Sequence, residues 1–147
     1  MSLKERIAED LKTSLKAKDA TRITCIRMLK ANIKNKQVEL GREPDEQEIL
    51  ALISSMVRKG KEAVDEFKRG GRDDLVSKEE QEIKILYEYM PEQCSPEEIR
   101  ETLQEIIVEL SASGPKDIGK VMKTAMERLA GKAQGKEVSE IARQLLT

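Results

Sequence analysis

"MPEQCSPEEI", residues 90–99, divides the chain into two helical parts. Two prolines stand five residues apart, and the stretch closes on a helix-start signal, Ser95-Pro96-Glu97-Glu98. Ser95 suits the N-cap because its hydroxyl can accept a bond from a first-turn amide. Pro96 suits the first helical position, where its missing N–H costs nothing, and Glu98 completes a capping box. The joint falls at residues 92–94, between an N-terminal domain of residues 1–91 and a C-terminal domain of residues 95–147.

The sequence on either side reads as a series of amphipathic helices. Ser2 and Glu5 form a capping box ahead of Leu3, Ile7, Leu11 and Leu15, and the helix should end near Lys18. Asp19 opens a second helix with Ile23, Ile26, Leu29, Ile33 and Leu40, which Gly41 can close in a left-handed conformation. Pro44, Asp45 and Glu48 start a third with Ile49, Leu52, Ile53, Met56, Val64 and Phe67, stopped by Gly70-Gly71. A fourth spans residues 73–90 with Leu75, Val76, Ile83, Leu86 and Met90 as its buried stripe. Beyond the divide, Ile99, Leu103, Ile106, Ile107 and Leu110 precede a break at "SASGP". Two short helices follow, one with Ile118, Val121, Met122, Ala125 and Leu129, the other with Val138, Ile141, Ala142 and Leu145. No stretch sustains the period-two alternation of a strand. The predicted fold is all-α, about four helices followed by a three-helix domain.

Composition narrows the chemistry. Aromatic residues are 2% of the 147, so the core must be built from Leu, Ile, Val, Met and Ala, a palette that suits helices. No run of 18 apolar residues occurs, and "MSLKERIAED" carries charges where a signal peptide needs its apolar stretch. The expectation is a soluble cytoplasmic protein with no membrane contact. There is no histidine, and Cys25 and Cys94 stand in no metal-ligand spacing, so neither metal nor cofactor is expected. The usual serine or cysteine hydrolase would lack its base, and no nucleotide-binding glycine loop is present. Glu79-Glu80 and Glu97-Glu98 sit at helix starts, where carboxylates favour the dipole. No catalytic residue is assigned and no stand-alone activity is expected.

The net charge of −1 conceals a segregation: +5 over residues 1–72, −9 over 73–109 and +3 over 110–147. In "GKVMKTAMERLAGKAQGKEV", residues 119–138, glycine and lysine recur as Gly119-Lys120, Gly131-Lys132 and Gly135-Lys136. Six basic residues (Lys116, Lys120, Lys123, Arg128, Lys132, Lys136) face only Asp117 and Glu127 over residues 116–136. Two readings stand side by side. The glycines can be a helix stop and a turn amid solvated lysines. Alternatively, a tight turn bounded by Gly131 and Gly135 would aim backbone N–H groups and the last helix N-terminus at one anion, held by the lysine charges. Arg27, Lys30 and Lys34 offer a parallel case on one side of the second helix. The only rings are Phe67, Tyr87 and Tyr89, too few to stack unpaired bases, so nucleic-acid contact would read the backbone and shape of a folded RNA.

Three motifs in order, "RMLKANIKNKQVE" (27–39), "YMPEQCSPEEI" (89–99) and "DIGKVMKTAMERLAGKAQG" (117–135), resemble the YqeY-like proteins of the GatB/YqeY domain family. The likeness covers essentially the whole chain. The same C-terminal module is the tail of the B subunit of the tRNA-dependent Asp/Glu amidotransferase. The resemblance therefore implies a non-catalytic accessory protein that contacts tRNA, with amidotransferase or aminoacyl-tRNA synthetase components as further partners. The family label is that of a carbon–nitrogen ligase using glutamine as amide donor. By position the motif supplies Gly119, Lys120, Gly131, Lys132 and Gly135, and the charge pattern adds Lys116, Lys123 and Lys136 as phosphate-binding candidates. Gln134 stands where the family has Asp, and Arg128 where many relatives have proline. The rival reading is a protein–protein adaptor that uses the acidic middle segment or an exposed helix face.

Overall fold

The computed structural model describes residues 1–147, and side-chain caps set most of its helix starts. Helix α1, Leu3–Ala17, begins where the Ser2 hydroxyl accepts the Glu5 N–H and the Glu5 carboxylate accepts the Ser2 N–H. It ends on Lys18 in the left-handed region, φ 56°. Asp19 caps α2, Ala20–Leu40, which closes on Gly41 at φ 70°. Asp45 and Glu48 form the box that opens α3, Glu46–Arg69, and α4 is Asp73–Tyr87, which puts Glu79-Glu80 in mid-helix and not at the helix start expected from sequence. Ser95 and Glu98 box the start of α5, Pro96–Leu110. A 3-10 turn, Pro115–Asp117, leads into α6, Ile118–Arg128, and α7 is Gly135–Leu146. All regular structure is helical, and no helix is long and apolar enough to cross a membrane.

The chain forms two compact units, Met1–Met90 and Pro91–Thr147. In the first, α2 packs against α1, α3 and α4, so its apolar side chains are not confined to one stripe. The core gathers Ile7, Ile26, Leu29, Ile53 and Val57, with Ile85 and Leu86 from α4. Helices α3 and α4 meet closely at Gly60, where an added Cβ would lie 2.9 Å from Ile83 Cγ1. The second unit surrounds Ile99, Leu103 and Ile106 of α5 with Val121 and Ala125 of α6 and Val138 and Ala142 of α7.

The fourth helix stops at Tyr87, short of the expected end at residue 90, and the reason is a polar clasp. The chain turns through residues 88–90 and buries Tyr89 to 4% exposure, with its hydroxyl donating to Asp10 Oδ2 at 2.6 Å. Arg6 lies over the Tyr89 ring, 4.9 Å from its centroid, and donates to the Glu88 carbonyl. Arg22 donates to the Glu88 carboxylate at 2.6 Å. The clasp fastens the end of α4 to α1 and α2. Tyr89→Phe leaves the shape but removes a hydrogen bond to a charged acceptor. Urea unfolding of this variant should show a loss of about 1–3 kcal/mol.

Burial also sets an alkaline limit. The Cys25 thiol is pushed up from 9.0 to about 12, chiefly by burial and then by the Glu82 charge. The Tyr89 hydroxyl is raised above 10.0 by burial and by its bond to Asp10. Both groups are held neutral in the fold and lose protons first when unfolded. Their contribution is complete below the unfolded values and is lost as pH rises through the folded ones. The unfolding midpoint of the first unit should fall steadily above pH 9.0. In Cys25→Ala the early part of that decline should be smaller.

Candidate nucleic-acid interface

The three glycine-lysine pairs play different structural parts. Gly131 follows α6 with φ +75°, a conformation that costs any other residue about 1–2 kcal/mol. The turn it makes is tied inward. Lys132 N–H donates to the Leu129 carbonyl at 2.8 Å, the Gly131 carbonyl accepts Gln93 Nε2 at 2.7 Å, and the Lys132 carbonyl accepts Cys94 N–H at 2.8 Å. An added Cβ at Gly131 would also touch Pro91 Cδ at 3.5 Å. Residues 91–94 thus strap the turn within the second unit, a role that sequence reading missed. The prolines of "MPEQCSPEEI" were the available signal, since they hold an extended segment that can lie against another backbone.

Gly119 is the contrasting case. It is exposed, lies in the first turn of α6 with no left-handed backbone, and nothing stands within 4 Å of an added Cβ. The fold does not require glycine there. Gly135, the first residue of α7, would place a Cβ 3.9 Å from Met126 Cε, an ordinary contact. Gln134 takes the N-cap position of α7 in extended backbone. Gly119→Ala should therefore stabilise the second unit by about 0.4–1 kcal/mol. Gly131→Ala should destabilise it by about 1–2 kcal/mol, both read from thermal unfolding.

The lysines fall into a row instead of one cradle. Lys116 and Lys120 mark the start of α6, and Lys123, three residues on, projects from the same side as Lys120. Lys132 and Lys136 lie past the other end of α6, about 16 Å away at 1.5 Å per residue. All five are exposed, and none forms an ion pair. Arg128, the sixth basic residue, is engaged by Glu109. Asp117 lies beside the start of the row, its pKa held below the ordinary value first by the Ser113 N–H and then by the charges of Lys120 and Lys116. A row this long does not suit a single phosphate. It suits a polyanion, since about 16 Å along a duplex carries roughly ten phosphate charges.

No ring sits in the second unit, because Phe67, Tyr87 and Tyr89 all precede it. Tyr89 is buried and Tyr87 is covered by Lys61, 5.3 Å from the ring centroid. The row offers charge without a stacking platform.

An all-helical protein of two units, the second carrying a strapped glycine turn and a lysine row, is what sequence and fold define. The model of the family described as "Yqey-like protein" matches residues 4–146, and the chain belongs to that family. Curated relatives are called "Altered inheritance of mitochondria protein 41, mitochondrial". That of Lachancea thermotolerans is 36% identical over 112 residues, covering 74% of this chain and 60% of the relative. That of Saccharomyces cerevisiae is 32% identical over 130 residues, covering 88% and 61%. That of Eremothecium gossypii is 40% identical over 85 residues, covering 57% and 46%. The chain thus spans about half to three fifths of the relatives it matches. Their names overturn the cytoplasmic expectation, because these relatives are called mitochondrial. That expectation rested on the lack of an apolar leader, and such a lack does not report the compartment.

Proposed function

We propose that the second unit binds the phosphate backbone of tRNA, and that the protein acts as a non-catalytic accessory to tRNA-linked chemistry such as glutamine-dependent amidation. The observation that carries this reading is the row of five exposed lysines without carboxylate partners, beside a helical glycine that the fold does not need. Unpaired ammonium groups supply the charge that polyanion binding draws on. An open Gly119 leaves room for a ribose-phosphate chain to approach the first turn of α6. The lack of rings in the unit favours a folded RNA over an unstacked strand. The resemblance of this module to the amidotransferase tail selects tRNA among folded RNAs.

The test is fluorescence anisotropy with a folded tRNA and with an unstructured RNA of equal length. The tRNA should bind at least about tenfold more tightly, and Gly119→Leu, which fills the open position, should weaken it by about tenfold while the fold persists. Equal binding of the two RNAs, or no binding of tRNA, would remove the reading.

A further inference from the structure

The first unit holds a groove that the RNA reading leaves unused. It lies between α1 and α2, encloses ≈ 400 Å³, and is lined by buried Ile7 and Ile33, by Ala8 and Ala31, and by Lys4, Lys30 and Lys34. We propose that this groove docks an acidic amphipathic helix of a partner protein. The inference does not depend on the RNA reading, since none of these residues belongs to the second unit.

Charge and shape point to the same occupant. Lys4 is held by Glu43 at 2.6 Å, but Lys30 and Lys34 form no ion pair and stand one turn apart on the same side of α2. Two carboxylates four residues apart on a docking helix would match that spacing. Ala8 and Ala31 are small, which lets a third helix settle close to the usual interaxial distance of about 8–10 Å. The α2 wall runs from residue 30 to 37, about 10 Å or two turns, a length read by apolar anchors at i, i+4 and i+7. Val38, 76% exposed, extends the apolar surface just beyond. An RNA backbone would satisfy the lysines and leave the apolar lining wet. A flat lipid surface would not enter a trough between two helices.

The experiment titrates the intact protein into a labelled helix-forming peptide with leucines at i, i+4 and i+7 flanked by glutamates. Saturable micromolar binding is expected, weakened at least about tenfold by K30E/K34E. Ala31→Trp, which fills the groove without changing charge, should weaken it similarly. A peptide with its glutamates replaced by lysines should recover binding to K30E/K34E. These residues are exposed, so folding should survive, and K30E/K34E with the charge-swapped peptide decides the matter should Ala31→Trp not fold. Absence of saturable binding to the wild type, or binding indifferent to the lysine reversal, would overturn the proposal. So would K30E/K34E abolishing association with phosphatidylglycerol vesicles or tRNA while the peptide is not bound.

Discussion

Changing Lys120, Lys123, Lys132 and Lys136 together to Glu should lower tRNA affinity by about two orders of magnitude at moderate salt and flatten its salt dependence. Each ammonium group seated on a phosphate releases condensed counterions, so the logarithm of affinity falls with the logarithm of salt by roughly 0.7–0.9 per contact. Losing four contacts should reduce that slope by about three. None of the four lysines pairs with a carboxylate in the fold, so reversal strands no internal partner. Each exposed substitution should alter stability by no more than about 0.5 kcal/mol. A binding loss with an unchanged melting curve therefore reports the interface and not the fold. Anisotropy across a potassium chloride series reads both affinity and slope.

The largest effect on stability is expected at Leu103. Its side chain is fully buried at the centre of the second unit, among residues from α5, α6 and α7. Leu103→Ala removes apolar contact and leaves a cavity, at a cost of about 2–5 kcal/mol. Domains are stable by only about 5–15 kcal/mol, and small ones have the least apolar burial to draw on. Hydrogen exchange should show amides of α5, α6 and α7 losing protection by at least about thirtyfold. Leu110→Ala is the matched control on the same helix. Its side chain is 41% exposed, and the change should cost no more than about 0.5 kcal/mol.

The contrast between Leu103 and Leu110 shows where periodicity stops informing. Spacing of three and four placed Ile99, Leu103 and Ile106 inside, as found, and it placed Leu110 with them because a helical wheel does not say where the neighbouring helix ends. Caps were legible at Ser2, Asp19, Asp45 and Ser95, since a short polar side chain before an apolar run has few better uses. Tyr89 was not legible as a core residue. Its burial depends on Asp10 and Arg6, about eighty positions away, and no local pattern encodes such a partner.

For the candidate site, the glycine-lysine pairs drew attention to the correct segment but look alike in sequence. Only the structure separates Gly131, which must be left-handed, from Gly119, which need not be glycine for the fold. The strap from residues 91–94 was signalled only by its prolines, and its partners, some forty positions further on, were not legible. Sequence treated these residues as a joint, while the structure hydrogen-bonds Gln93 and Cys94 to the Gly131-Lys132 turn.

If tRNA lies along the lysine row of the second unit, the backbone amides of that row will report its binding. An amide NMR titration of the intact protein with tRNA tests this placement most directly. The largest shift changes should fall at Gly119, Lys120, Lys123, Lys132, Gly135 and Lys136. Changes confined to α2 around Arg27 to Lys34, with Gly119 and Lys132 unmoved at saturation, would contradict it.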